Sequence, residues 1–295
     1  QTLFGYEGKA LSVPIGSVAI GAVYNDQTLA EIGATIPETL PEVLDYCAAA
    51  TAAGKVGYAL FQQGGSVLTS YALSASLVYG PNPGFTAEQV AGDASFADSG
   101  WRDVLDVQVQ MLEAGCFNES PNGTDFTAAA QLIADGSAVG VVAFTDVSGF
   151  TAVAPEGTTF SMGPVPATSS ADDNYLAVAN STGFAVNAEA EEPELARAFV
   201  AFVATAEAQN AFAEATGGAP AIPNDTFTVD NQLQQILFDY VNAGKTGIWP
   251  DQEWPGGEVA QALLDASQAI FAGTMTVDEA LTGMDAAFET ALSNQ

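Results

Sequence analysis

Two rhythms of apolar and polar positions alternate along the 295-residue chain. Residues 11–15 and 18–24 are short apolar runs, with Pro14 and Gly16 between them, and they close on Tyr24-Asn25-Asp26. Val43, Leu44 and Cys47 share one side of a helix that stops at Gly54-Lys55. Residues 56–61 read as a buried strand, 62–66 as a turn with two glycines, and 67–79 as an apolar helix. Pro81-Asn82-Pro83-Gly84 marks 80–95 as a loop. The next helix, 96–115, carries Trp101, Val104, Leu105, Val109 and Leu112 on one face, which makes Trp101 a core residue.

A helix over 125–135 then leads through Gly136 into a strand at 138–144. Residues 160–166 read as an extended edge, 169–174 as a polar loop, and 176–186 as two strands around Asn180-Ser181-Thr182-Gly183. Helices follow at 192–204, 206–215, 231–243, 257–272 and 276–293. The last opens on a capping box, Thr276 with Glu279. Strands alternating with helices predict an α/β architecture.

Charge narrows the partners. There are 36 acidic residues against five basic ones, for a net charge of −31. Nucleic acid is excluded as a partner, because binding its phosphates needs clustered Lys or Arg. Anionic membrane surfaces would repel the chain, and so high a charge favours a soluble monomer. The chain has no histidine and no CxxC spacing, so neither a metal site nor a cofactor is expected. Cys47 and Cys116 are free thiols in a reducing compartment and a disulfide in an oxidising one.

Six segments, in order, carry a family resemblance. GKALSVPIGSVAIGAVYND resembles the "GK-Y-x-x-P … x-x-YN" signature of extracellular solute-binding proteins of family 1, the ABC-importer sugar-binding proteins that include maltose-binding protein. PETLPEVLDYCAAATAAGK resembles the family's "P-x-T-x-x-E" helix, and FTAAAQLIADGSAVGVVAF its "F-x-x-G-x-A-x-M" unit. FSMGPVPA is similar to "G-x-x-P-x-P". EPELARAFVAFVATAEAQNAFAEATGGAPA is similar to "P-E-x-A-x-x-F-x-x-F-x-x-x-x-x-Q … G-x-x-P". TMTVDEALTGMDAAFETAL is similar to "G-x-x-T-x-x-E-A-L".

The resemblance implies a type II periplasmic-binding-protein fold, two α/β lobes with a ligand cleft between them. Carried over, residues 1–19 and 177–236 would form the N-terminal lobe, and 20–176 with 237–295 the C-terminal lobe. In the family, further strands precede the GK segment. Almost nothing precedes it in this sequence, so the N-terminal lobe is expected to be incomplete and to expose apolar surface. The family location is extracellular or periplasmic, with a lipid anchor upstream in some members, and there Cys47 and Cys116 would be joined. The expected partners are a small-molecule solute, chiefly a carbohydrate, and the permease subunits of an ABC transporter.

Site residues are assigned by position. Ser17 and Val18 fall where the crossing strand meets ligand. Gln63, Gly65, Ser66 and Val67 fall at a strand-to-helix turn. Thr145 and Asp146 follow the strand at 138–144, and Asn180, Ser181 and Thr182 form the returning crossover. Gly218 and Pro220 belong to the loop after the 206–215 helix. Trp249 and Trp254, in IWPDQEWPGG, fall where family members carry an aromatic platform. Each has a plainer reading: Asp146 as a helix cap, Asn180–Thr182 as a turn, 62–65 as a connection, and the tryptophans as loop packing.

Many sugar-binding members carry Trp beside the position of Asp146, and this chain does not. A cationic amine such as a polyamine is therefore a second ligand class, caged by Asp146, Asp251, Glu253 and the tryptophans. A carboxylate-based glycoside hydrolase is the third reading. It is disfavoured: acids are everywhere, histidine is lacking, and no GxSxG or phosphate-cradling loop occurs.

Overall fold

The computed structural model describes residues 5–6, 9–63, 67–229 and 231–295. The strands β1 (Gly5–Tyr6) and β2 (Lys9–Ala10) form a short antiparallel pair. The two apolar runs beyond them are one strand, β3 (Val13–Asn25). Its ladder slips between Pro14 and Gly16 and again between Gly16 and Ser17. Proline has no N–H for a ladder and is accepted at bulges, so Pro14 dents the strand without ending it. Asn25 then caps α1 (Asp26–Glu31) by accepting from the Thr28 N–H.

The helix α2 (Leu40–Ala52) opens on a capping box of Thr39 and Glu42. It leads into β4 (Val56–Ala59). The helix α3 (Leu68–Ser74) continues as a π-helical turn, Ala75–Tyr79, where the sequence predicts a plain α-helix. A further helix, α4 (Phe85–Ala91), lies inside the expected loop. Asn82 starts it, its Oδ1 accepting from the Gly84 N–H at 3.1 Å.

The helix α5 (Trp101–Glu113) begins later than its apolar pattern. The Asp285 carboxylate accepts from the Phe96 and Ala97 N–H groups and holds that segment outside the helix. Next come α6 (Phe126–Ala134), β5 (Ala138–Phe144), the short α7 (Ser148–Thr151) and β6 (Phe160–Gly163). The residues expected as two strands are one, β7 (Leu176–Phe184), because β3 pairs along its length. The remainder is α8 (Pro193–Val203), α9 (Ala206–Thr216), β8 (Ala219–Pro220), α10 (Gln232–Asn242), β9 (Thr246–Gly247), α11 (Gly257–Phe271) and α12 (Val277–Ser293).

One mixed sheet organises the molecule, in the order β4-β5-β3-β7-β9. β3 is its axis. On one edge it pairs with β8 at Gly16–Ser17 and with β5 from Ile20 to Tyr24. On the other it pairs with β7 from Val13 to Ile20 and with β6 from Ala22 to Asn25. Strand alternation sends Ile20, Ala22 and Tyr24 into a large core with α2, α3, α5, α11 and α12. Val23 joins a second core on the opposite face, with α6, α7 and β6.

Cys47 of α2 and Cys116, just beyond α5, form the disulfide, with Cα atoms 4.9 Å apart. Trp101 is fully buried, as its helical spacing predicts. The other end of the sheet is thinner. α8 leaves Leu195 70%, Phe199 50% and Phe202 47% exposed. Among the described residues no helix is long and apolar enough to cross a membrane.

Candidate functional site

β3 gathers most of the candidate residues. Ser17 lies opposite Asn180 of β7 on one side and Ala219 of β8 on the other. Its Oγ donates to Asn180 Oδ1 at 2.7 Å. Gly16 lies opposite Thr182 and Pro220, and Val18 opposite Ala179. Thr145 sits just past β5 and is fully buried. Its N–H donates to the Ala19 carbonyl at 3.0 Å, and its Oγ1 accepts from the Ala19 N–H at 3.4 Å.

The turn before β8 closes on the same place. Gly217 is so near that a Cβ there would lie 3.3 Å from the Thr145 carbonyl. Gly218 is buried, and its carbonyl accepts from Gln234 Nε2 at 3.1 Å. Asp146 is exposed, and its Oδ1 accepts from the Ser148 N–H at 3.0 Å, a turn that leads into α7. It is not the cap of that helix: Val147 holds the N-cap position, with no side-chain cap bond. Val18, Gly218 and Pro220 are buried and contribute backbone and shape, not polar side chains. Ser181 lies on β7 between Asn180 and Thr182.

Trp249 is half-buried beside the start of β7 and the end of β5. Its Nε1 donates to the Ala177 carbonyl at 3.3 Å, and its ring stands 5.4 Å from that of Phe144, tilted by 38°. With its N–H committed to the protein, the indole has only ring surface to offer. Gln252, three residues on, donates through Nε2 to the Asn180 carbonyl at 3.4 Å. Asp251 on the same loop reaches the surface, yet the loop shields enough of the carboxyl to raise its pKa.

Trp254 is a correction. It is 7% exposed, with its ring 6.0 Å from Tyr71, 5.9 Å from Phe96 and 5.8 Å from Trp101. A Pro/Gly-rich loop cannot bury a residue by its own periodicity, but aromatic groups from two distant segments, α3 and residues 96–101, do so here. Gln63 is exposed, and its N–H donates to the Thr124 carbonyl at 3.0 Å. Val67 stands at the start of α3 and packs on the main core. Gly65 and Ser66 lie outside the described residues. Sequence reasoning passes over Phe144 and Gln252. Phe144 is the last residue of a predicted strand, directly before Thr145, and Gln252 shares the Trp249 loop; position alone points to both.

The ladder sets the aromatic pair Phe144 and Trp249 on one face of the sheet and the Ser17–Asn180 bond on the other, with Gln252 reaching the Asn180 carbonyl. This arrangement suits non-covalent recognition of a small polar molecule. The family model for bacterial extracellular solute-binding proteins matches residues 2–226. The chain belongs to this family. No curated protein matches it in sequence. Among solved structures, a chitin oligosaccharide binding protein superposes with TM-score 0.81 at 19% identity, covering 99% of this chain and 74% of the other. A sugar transporter from Bacillus licheniformis, solved in complex with stachyose, gives 0.78 at 18% identity, with 98% and 76% covered. A family 1 extracellular solute-binding protein from Bifidobacterium longum subsp. infantis gives 0.76 at 20% identity, with 97% and 75% covered. At these identities the likeness shows the fold, the two-lobe α/β fold of periplasmic solute-binding proteins. The family is one of binding proteins and not of enzymes.

Proposed function

We propose that this solute-binding protein takes a carbohydrate into a cleft at the β3–β7 crossing and delivers it to the permease of an ABC importer. The N-terminal lobe comprises 1–19 and 177–236, and the C-terminal lobe 20–176 and 237–295. The solute sits against the strands that pass between them. Lobe closure traps it, and no covalent bond changes. The protein acts as a monomer outside the cytoplasmic membrane, held there by a lipid anchor where the source cell uses one.

The observation that carries the reading is Trp249, its ring tilted against that of Phe144 and its N–H satisfied, on the same loop as Gln252, which reaches the Asn180 carbonyl. A pyranose ring has an apolar face for such an indole and hydroxyls for hydroxyl and amide partners. The named ligands of the fold neighbours, chitin oligosaccharide and stachyose, support the same class. The cationic alternative loses one wall of its cage, because Trp254 is in the core.

A thermal-shift screen against mono- and oligosaccharides, polyamines and amino acids tests this. A ligand that binds only the folded protein stabilises it by about 2.7 kcal/mol at a hundred times its Kd. A concentration-dependent rise with a sugar, abolished by Trp249→Ala, is the expected result. A rise with polyamines alone would move the site to Asp251 and Asp146. No rise with any sugar overturns the carbohydrate assignment.

A further inference from the structure

The α3 rod does not end at Ser74; it widens into the π turn Ala75–Tyr79, whose Gly80 N–H donates to the Ala75 carbonyl five residues back at 2.8 Å. Such turns carry an extra residue and recur at functional sites. Two strands rest against this one. A Cβ on Gly247 would lie 2.7 Å from Ala75 Cα and 2.8 Å from Ala75 Cβ, so β9 meets the turn backbone to backbone. A Cβ on Gly80 would lie 2.4 Å from the Tyr175 ring.

Ser76 completes the grip. It is 3% exposed; its Oγ accepts from the Tyr175 N–H at 2.9 Å and donates to the Tyr175 carbonyl at 3.4 Å. Tyr175 immediately precedes β7. Gly247 ends β9, lies opposite Ala177 of β7, and stands two residues before Trp249. The Ala177 carbonyl is also what holds the Trp249 N–H. Both supports of the indole, β9 and the start of β7, therefore lean on the same turn.

We propose that the π turn Ala75–Tyr79 sets the position of Trp249, with Ala75 and Ser76 as positioning residues for the candidate cleft. The functional weight of this rests on the cleft being the solute site; the mechanical coupling does not. Removing the extra residue would rotate the helix on one side of the deletion against the other by about 100°, which an ordinary α-helix spends per residue. Ala75 and Ser76 would then no longer face Gly247 and Tyr175 together.

The test labels the whole chain with 5-fluorotryptophan and reads 19F NMR without any solute. Three signals arise from three tryptophans, and Trp249→Phe assigns the one of interest. Ala75→Val presses new methyl groups on Gly247, and Ser76→Ala frees the Tyr175 backbone. Both should shift the Trp249 signal while those of Trp101 and Trp254 stay in place. Should Ala75→Val fail to fold, Ser76→Ala decides. A Trp249 signal that does not move, or three signals that move together, overturns the proposal. Because no solute enters the measurement, its outcome is separate from that of the ligand screen.

Discussion

Helices α5 and α8 are both amphipathic, and they have opposite fates. α5 buries Trp101, Val104, Leu105, Val107 and Met111 to 4% exposure or less. α8 carries Leu195, Phe199 and Phe202 at the i, i+4, i+7 spacing of a core-facing stripe, yet all three are exposed and only Val203 is buried. The difference lies outside the helices. α5 is met by α3, α11 and α12, whereas among the described residues α8 packs chiefly on α9 and β3. Apolar spacing shows that a face seeks cover; only the rest of the fold shows whether it has it.

The largest effects should come from the covered side. Trp101→Ala removes a fully buried ring packed against Tyr79, Phe96 and Trp254, and should cost about 3–5 kcal/mol. Urea unfolding measures it; a loss under about 1 kcal/mol, no more than a buried methyl group is worth, would mean the aromatic cluster is not the core it looks to be. Replacing both Cys47 and Cys116 by Ala should cost about 2–5 kcal/mol, since the bond spans 69 positions and ties α2 to the end of α5. The parent protein under reducing agent should show a comparable loss.

Alkaline pH probes the same core. Burial first, and then neighbouring tyrosines, raise the pKa of Tyr24 and Tyr46; burial also raises Tyr58, against a bond from Tyr24 that lowers it. Above pH ~10 the unfolded chain loses these protons and the folded chain keeps them. The folded state then binds more protons, so stability falls as pH rises, by about 1.4 kcal/mol per pH unit for each tyrosine. Below about pH 9 the three contribute no slope. Thermal midpoints between about pH 8 and 11.5 check this, and a flat profile would show that the hydroxyls ionise in place.

Much of this was legible because it is local. The capping box at Thr276 forms as its spacing predicts, and Thr39 with Glu42 forms a second. Six ordered segments indicated the family, and the cysteine pair closes. What stayed hidden depends on partners far away in sequence. Pro14 and Asn180-Ser181-Thr182-Gly183 look like breaks, yet β3 and β7 stitch each other through them. Asp285, 189 positions from Phe96, delays the start of α5. Trp254 looks free in its loop until Tyr71, Phe96 and Trp101 close over it. α4 is masked by the Pro/Gly segment that starts it, and the π turn has no periodic signature. For the candidate site, the sequence put Trp249 and Trp254 in one loop, but did not show which of the two the fold buries.

The smallest effect is the most telling about α8. A large apolar group already in water gains nothing from the fold, so replacing it should change stability by no more than about 0.5 kcal/mol in either direction. Phe199 is half exposed, but its ring also lies 5.4 Å from that of Phe184, edge to face, which puts it at the upper end of that range. Leu195, 70% exposed, is the cleaner probe. Leu195→Gln should leave the urea midpoint unchanged and raise solubility, because it shrinks an exposed apolar patch. If instead Leu195→Gln costs as much as a core substitution, about 2 kcal/mol or more, the stripe is covered in solution and α8 resembles α5 after all.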